Sequence, residues 1–190
     1  NATRMKPMLF FVLAFVNVAT SNAQSVFQRN AGVERRIDSL LRLMTVEEKL
    51  GQLNQVGPHW DSKKESPDKH YQAELVRKGK IGSFLYLVGA EATRKIQRIA
   101  VEESRLKIPL IFGLDVIHGY RTTFPIPLAM ACSWNPELVE KASRIAAIEA
   151  TAAGINWTFA PMVDIARDPR WGRISEGAGE DPFLGSAMAV

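Results

Sequence analysis

Short apolar segments alternate with longer stretches of helical periodicity through most of this chain. The apolar segments cover residues 81–87, 110–114 and 155–160, and each is typical of a buried strand. Between them, residues 91–106 and 135–154 place apolar side chains three and four positions apart, which predicts two helices. An order of strand, helix, strand, helix, strand calls for a parallel sheet with helical crossovers. We therefore expect an α/β fold.

Further elements are predicted on the amino-terminal side of the first strand. Residues 33–43 have the periodicity of a helix, and Thr45 with Glu48 has the spacing of a capping box that opens a second helix. Residues 59–70 are polar and predict a loop, and residues 72–78 predict a third helix. Near the other end of the chain, an Asp-Pro pair at residues 181–182 has the form of one more helix start.

The first residues of the chain have the features of an export signal. A short positive start at Met5 and Lys6 precedes an apolar run over residues 8–18, and small residues then lead to a cleavage pattern that ends at Ala23. An apolar run of about eleven residues is too short to span a bilayer as a helix. We predict a signal peptide over residues 1–23 that includes extra residues before Met5.

The remaining chain is divided into a polar tether over residues 24–32 and one domain over residues 33–190. Cleavage after Ala23 would deliver the protein to the periplasm or outside the cell, with no membrane attachment left. The alternatives for the leader are a buried N-terminal helix and an uncleaved anchor.

Charge and cysteine content limit the possible partners. The 24 basic and 20 acidic residues are mixed along the chain, and the net charge of +4 is too small to indicate nucleic-acid binding. A single cysteine, Cys132, cannot form an internal disulfide, and its apolar neighbours predict a buried, inert thiol. The three histidines lack metal-ligand spacing and no phosphate-loop or dinucleotide glycine pattern occurs, so we expect no metal and no cofactor.

Two segments carry residues suited to binding hydroxyl-rich ligands. Residues 167–181 combine arginines, carboxylates and a tryptophan with a spacing that fits neither a helix face nor an alternating strand. Guanidinium groups donate hydrogen bonds in a planar fork, carboxylates accept them, and an indole can cover an apolar sugar face. Asp115 directly follows a predicted strand, and α/β folds place their ligand-binding groups at such strand ends.

Both segments resemble family 3 glycoside hydrolases, most closely the bacterial periplasmic β-glucosidases. The resemblance rests on GLDVIHGY over residues 113–120 and DPRWGR over residues 168–173, and it extends from about Val33 to the last residue. The segment DQEGG of the family's N-acetylglucosaminidase branch is replaced here by DVIHG over residues 115–119, which argues against an amino sugar.

The resemblance implies the N-terminal part of a (β/α)8, TIM-like barrel. Such a barrel takes about 250 residues, so we interpret the chain as a truncated, N-terminal fragment. Retaining glycosidases use a carboxylate nucleophile and a carboxylic acid about 5–5.5 Å apart. The resemblance places both groups beyond Val190, so no catalytic residue is assigned in this chain and the fragment alone is expected to be inactive.

The resemblance also implies which residues bind the substrate. Asp115 would accept hydrogen bonds from the C4 and C6 hydroxyls of a terminal glucose, and Arg173 would donate to hydroxyls of the same sugar. Glu176 would orient Arg173, while Asp164 and Arg170 would support the surrounding loops.

Each of these assignments has a structural alternative. Asp115 could cap the next helix, and Arg173 could form an ion pair within its loop, with Glu176 or Glu180. Trp171 could stack on a sugar or anchor the loop by burial. A general-base role is possible for His118, but a structural hydrogen bond is favoured.

The expected activity of the full-length protein is hydrolysis of terminal non-reducing β-D-glucosyl residues, and its substrate is a β-linked glucoside or oligosaccharide. A β-xylosidase of the same family is the close alternative. A non-catalytic exported sugar-binding domain is the alternative of a different class. The presence of a catalytic aspartate downstream would separate the two classes.

Overall fold

The computed structural model describes residues 30–57 and 67–190. The predicted signal peptide, the first six residues of the tether and most of the predicted loop over 59–70 lie outside the described residues. The chain divides into two compact units at the boundary between Leu43 and Met44. No helix within these described segments is long and apolar enough to cross a membrane.

Among the described residues of the first unit, 30–43, there is one helix, α1 (Ala31–Leu43). It begins two residues earlier than predicted because Asn30 caps it: the Asn30 Oδ1 accepts hydrogen bonds from the backbone N–H groups of Gly32 and Val33, at 2.9 and 3.3 Å. The last two residues of the predicted tether are therefore helical.

The second unit contains four strands and six helices among its described residues. The strands are β1 (Gln55–Val56), β2 (Ser83–Leu85), β3 (Ile111–Leu114) and β4 (Trp157–Thr158). The helices are α2 (Val46–Gln52), α3 (Pro67–Arg77), α4 (Ala90–Arg98), α5 (Pro127–Ala131), α6 (Pro136–Ala152) and α7 (Pro182–Ala189).

All four strands run parallel in one sheet, in the order β1-β2-β3-β4. Strands that neighbour each other in sequence also neighbour each other in space, with helices in the connections from β1 to β2, β2 to β3 and β3 to β4. The predicted α/β class is confirmed, and this strand order is the one that opens a (β/α)8 barrel. The described sheet does not close, and β1 and β4 are its two outermost strands.

The core lies between the sheet and its helices. Phe84 of β2 and Phe112 of β3 are paired in register, and their rings stack with centroids 6.4 Å apart. Both are almost completely buried, and burial of an aromatic side chain of this size stabilises the fold by about 1.5–3 kcal/mol. The other buried members of this cluster are Val76, Ile81, Ala100, Leu110, Val116, Ala146, Ala150 and Ile155.

Helix α6 packs against the sheet through a row of alanines. Asn135 caps it as predicted, accepting a hydrogen bond from the Leu138 N–H at 3.1 Å, and Pro136 occupies its first position. The buried residues are Ala142, Ala146 and Ala150. Leu138 and Ile145 were also expected on the inner face but are 55% and 41% exposed. Leu138 lies in the first turn, and Ile145 is rotated by about 100° from its neighbour in the row.

Several element boundaries differ from those predicted. Strand β1 was not predicted, because two residues are too few to show alternation. Helix α3 begins at Pro67 rather than at residue 72, so residues 67–70 are helical and not loop. The helix expected over 91–106 ends as α4 at Arg98 and continues as a single π-helical turn, Ile99–Glu103.

The prediction of a buried thiol is wrong: Cys132 is exposed. It ends the unpredicted five-residue helix α5, in which Ala131 is buried. So short a helix buries only one side, and the apolar character of the segment did not reveal which residues lie there.

Candidate functional site

Three polar side chains follow neighbouring strands at the same edge of the sheet. Tyr86 comes directly after β2, Asp115 directly after β3, and Asp164 six residues after β4. The carboxyl ends of parallel strands meet at one edge, which is where α/β proteins bind their ligands. All three residues are exposed.

Asp115 is held by Tyr86. The Tyr86 hydroxyl donates to the Asp115 Oδ2 at 2.5 Å. This bond, and then the negative charge of Asp115, raise the pKa of the Tyr86 phenol above its ordinary value of 10.0. Tyr86 was not predicted, because the expected strand over residues 81–87 placed it within the strand, whereas β2 ends at Leu85 and Tyr86 directly follows it.

Arg173 forms a two-pronged ion pair with Glu176. The Arg173 Nε lies 2.9 Å from Oε1, and its Nη2 lies 2.7 Å from Oε2. Arg173 precedes the 3₁₀ turn Ile174–Glu176, which brings the two side chains to the same side. The bond lowers the pKa of the Glu176 carboxyl below 4.5. The Arg173 side chain is 59% exposed, so a ligand can reach it.

The loop that carries this pair is tied to the segment after β4. Met162 and Gly177 form a parallel bridge, and the Ala166 N–H donates to the Gly179 carbonyl at 3.0 Å. Asp164 lies between Met162 and Ala166 on one side of this pairing, and Glu176 directly precedes Gly177 on the other. Backbone pairing therefore determines where Arg173 is presented relative to the sheet edge.

The charges at this edge reinforce one another. The pKa of Arg173 is raised above its ordinary value first by the hydrogen bonds that it donates to Glu176 and then by that residue's negative charge. The charges of Asp164 and Asp115 act on it in the same direction, which means that both carboxylates lie within electrostatic reach of the guanidinium. The structure thus brings together Asp115, Asp164, Arg173 and Glu176.

Arg170 forms an ion pair with Asp168. The Arg170 Nε is 2.9 Å from each Asp168 carboxylate oxygen, and its Nη2 bonds to Oδ2 as well. Asp168 also caps the 3₁₀ turn Pro169–Trp171 by accepting from the Arg170 N–H at 3.0 Å. Trp171 is 42% exposed, so the alternative of a buried loop anchor does not describe this structure.

The loop after Asp115 is anchored from α6 by another residue that was not predicted from the sequence. Glu149 accepts hydrogen bonds from the backbone N–H groups of Arg121 and Thr122, each at 2.8 Å, and from the Thr122 hydroxyl at 2.7 Å. Within the loop, His118 Nδ1 lies 3.0 Å from the Phe124 carbonyl oxygen, which is the expected structural hydrogen bond. Arg121 takes part in this anchor through its backbone.

An exposed carboxylate can accept hydrogen bonds from hydroxyl groups of a ligand, and an exposed guanidinium can donate to others. Charge-assisted hydrogen bonds of this kind are stronger than neutral ones and favour a ligand that offers several hydroxyls. Within residues 30–57 and 67–190, no three carboxylate, histidine or cysteine side chains are arranged to hold a metal ion. The exposed carboxylate and guanidinium groups of the described site can bind and orient a ligand with several hydroxyls.

Known proteins with related sequences are glycoside hydrolases. A periplasmic β-glucosidase of Salmonella typhimurium is 45% identical over 152 residues, which cover 80% of this chain and 19% of that protein. A putative β-xylosidase of Formosa agariphila is 30% identical over 98% of this chain and 27% of its own length. The chain thus spans about a fifth to a quarter of the length of these relatives.

Solved structures agree with the sequence comparison. A β-glucosidase from Listeria innocua in complex with glucose superposes with a TM-score of 0.70 at 40% identity, covering 82% of this chain and 22% of the other. The model of the glycosyl hydrolase family 3 N-terminal domain matches residues 45–190, which is nearly the whole second unit. The chain belongs to glycosyl hydrolase family 3 and carries its N-terminal domain.

Proposed function

We propose that this chain supplies the sugar-holding part of a β-glucosidase that removes terminal non-reducing β-D-glucosyl residues. The observation that carries the proposal is the geometry at the sheet edge, where a Tyr86-held Asp115 lies within electrostatic reach of a Glu176-held Arg173. One side chain accepts hydrogen bonds, the other donates them, and both have partners that restrict their orientation. The family relationship supports glucose as the sugar.

In the proposed reaction, the residues of this chain bind the departing sugar and do not break the bond. Asp115 accepts hydrogen bonds from hydroxyls at one end of the ring, and Arg173 donates to hydroxyls of the same ring. Holding the ring in one position places its anomeric carbon for attack. This lowers the entropic part of the activation barrier in the full-length enzyme. The nucleophile and the acid that retention requires are assigned to parts of the protein after Val190.

We further propose that the protein is exported by its signal peptide, with cleavage after Ala23. The apolar run over residues 8–18 supports this, as does the similarity to a periplasmic relative. The mature protein would begin with the tether at residue 24, and its substrates would be β-linked glucosides or oligosaccharides outside the cytoplasm.

A β-xylosidase is the second candidate. Similarity to two proteins from Formosa agariphila described as a putative β-xylosidase and a β-xylosidase favours it, at 30% and 29% identity. Xylose lacks the hydroxymethyl group of glucose, so the two activities differ in how much room the pocket leaves beside Asp115. Comparison of kcat/KM for aryl β-glucosides and aryl β-xylosides decides between them.

The test of the proposed function is the kinetic effect of Asp115→Asn in the full-length protein. Loss of one charge-assisted hydrogen bond costs about 1.5–3 kcal/mol, so kcat/KM for an aryl β-glucoside should fall at least about tenfold. The matched control is Asp38→Asn, which changes an exposed carboxylate of α1 and should leave the kinetics unchanged.

Two outcomes would contradict the proposal. Unchanged kinetics in Asp115→Asn would remove Asp115 from the site. Glucose binding by a full-length wild-type protein that hydrolyses no β-glycoside would instead favour the non-catalytic sugar-binding domain.

A further inference from the structure

The hydroxyl of Tyr86 forms a hydrogen bond to one of the two oxygens of Asp115, the candidate sugar-binding carboxylate. It donates to the Asp115 Oδ2 at 2.5 Å, across two neighbouring strands and 29 positions of sequence. A phenol has a single hydrogen to donate. Once that hydrogen is directed at Asp115, the Tyr86 oxygen has only lone pairs to offer to anything else.

The backbone holds Tyr86 in this position. Its φ of 65° lies in the left-handed region, which a bulky residue adopts only where its surroundings require it. The Tyr86 N–H donates to the Gly113 carbonyl at 3.1 Å and so continues the pairing of β2 with β3 by one residue. Strained residues of this kind concentrate at ligand sites, where fixed geometry is part of the function.

The phenol is nevertheless reachable from solvent. Tyr86 is 48% exposed, and Asp115 is exposed as well. A tyrosine that served only to fill the core would be covered, whereas this one turns its polar end toward the open edge of the sheet. A ligand that reaches Asp115 therefore also reaches the Tyr86 oxygen.

We propose that Tyr86 and Asp115 form one hydroxyl-binding unit, in which Tyr86 fixes the carboxylate and adds a second acceptor beside it. Asp115 Oδ1 and the Tyr86 phenol oxygen then face the ligand together. Two neighbouring hydroxyl groups of one sugar donate to them, one to each. The unit selects a polyol by the spacing of its hydroxyls, because a sugar lacking either hydroxyl leaves one acceptor unpaired. This inference rests on the proposed function, since it assigns a further residue to the same sugar site.

The test is a double-mutant cycle on glucose binding to the full-length protein, with Tyr86→Phe, Asp115→Ala and the double variant measured by calorimetry. Tyr86→Phe keeps the ring and removes only the hydroxyl. We expect it to raise the Kd for glucose by about tenfold, on the scale of one hydrogen bond to a charged group. Asp115→Ala should raise the Kd further, and the double variant should bind no more weakly than Asp115→Ala alone, because the two side chains act together.

A second measurement separates binding from mere support of the fold. Each monodeoxyglucose lacks one hydroxyl, and the penalty of Tyr86→Phe should shrink for the analogue that lacks the hydroxyl held by Tyr86. A purely structural tyrosine would weaken glucose and all its monodeoxy analogues by the same factor, and that result would overturn the inference.

The remaining outcomes also discriminate. Unchanged glucose binding in Tyr86→Phe, or penalties that simply add in the double variant, would refute the joint unit while leaving Asp115 in the site. Unchanged binding in Asp115→Ala would refute the proposed function itself and the inference with it.

Discussion

The guanidinium of Arg173 and the carboxylate of Glu176 form a bidentate ion pair, with two hydrogen bonds of 2.9 and 2.7 Å. Glu176 is the more covered partner, at 27% exposure against 59% for Arg173. Glu176 therefore anchors the ion pair, and Arg173 is the more exposed member, whose orientation Glu176 restricts. A planar guanidinium held on one edge can still donate from its other N–H groups to a sugar.

Glu176→Gln is predicted to weaken substrate binding with little effect on stability. The amide keeps the shape of the side chain but can no longer accept two hydrogen bonds from the Arg173 fork, so the guanidinium loses its fixed orientation. KM for an aryl β-glucoside should rise several-fold in the full-length protein, while Tm should change little because an exposed ion pair contributes little to stability.

The matched control for that experiment is Glu102→Gln. It changes the exposed Arg98–Glu102 pair on the outer side of α4 and its π turn, well away from the candidate site. Equal changes of KM in Glu176→Gln and Glu102→Gln would show that Glu176 has no specific role.

Glu149 is predicted to make the stability of the folded protein depend on pH in the acid range. Its pKa is lowered from the ordinary 4.5 chiefly by hydrogen bonds from the Thr122 hydroxyl and backbone, and next by the Arg121 backbone N–H. A carboxyl with a lowered folded-state pKa stabilises the protein above 4.5, and this contribution is lost as the pH falls through the folded-state value.

The measurement is the difference in Tm between wild type and Glu149→Gln as a function of pH. The wild type should melt higher at neutral pH, and the difference should shrink as the pH drops below 4.5. A difference that stays constant with pH would mean that the ionised carboxylate does not anchor the loop after Asp115.

Gly154 is predicted to tolerate no side chain. It ends α6 with a φ of 88°, and an added Cβ would lie 2.1 Å from the Thr93 Oγ1. Gly89→Ala provides the control, because Gly89 also has a positive φ, of 104°, but has no atom within 4 Å of the added Cβ.

Backbone strain alone should cost Gly89→Ala about 1–3 kcal/mol of unfolding free energy. Gly154→Ala carries a similar strain and an overpacking term of about 1–3 kcal/mol in addition. Chemical denaturation of both variants measures the two losses. Equal losses would show that α4 does not approach α6 as closely as the structure indicates.

Local signals account for the parts of the fold that could be predicted from the sequence. The capping box is formed as expected: the Glu48 N–H donates to the Thr45 hydroxyl at 3.2 Å, and the Thr45 N–H donates to the Glu48 carboxylate at 2.9 Å. Asn135 likewise begins α6 where its sequence predicts. Each of these interactions joins residues three positions apart, so the pattern is visible along the chain.

The contacts that escaped prediction join distant segments. Glu48 is also paired with Arg105, 57 positions away, and this pair holds α2 against the segment after the π turn. Tyr86 reaches Asp115 only because β2 and β3 are neighbours in register, and Glu149 reaches Thr122 only because α6 packs over the same edge. Such partners depend on tertiary packing, which the pattern of a single segment does not contain.

Asp115 could be predicted as a ligand-binding candidate from its strand-end position and the family resemblance, and Arg173 from its arginine- and carboxylate-rich loop and the same resemblance. As in the rest of the fold, the partner that is near in sequence was predicted and the partner that is distant in sequence was not. Glu176 is three residues from Arg173 and was predicted, whereas Tyr86 follows a different strand, 29 positions from Asp115, and was not predicted.

The chain described here, produced without any further sequence, is predicted to hydrolyse no β-glucoside. Its carboxylates at the sheet edge are assigned to binding, and the two groups that cleave the bond are assigned to later residues. An assay of purified residues 24–190 with an aryl β-glucoside checks this. Turnover that survives purification and is abolished by Asp115→Asn or Asp164→Asn would show that a catalytic carboxylate lies within this chain.

The most direct test of the account is a crystal structure of the full-length protein with glucose bound. We predict that the Asp115 carboxylate and the Arg173 guanidinium both lie within about 3 Å of hydroxyl oxygens of a single glucose, as hydrogen bonding requires. A glucose molecule bound elsewhere, with neither side chain in contact, would contradict the assignment of this sheet edge as the sugar site.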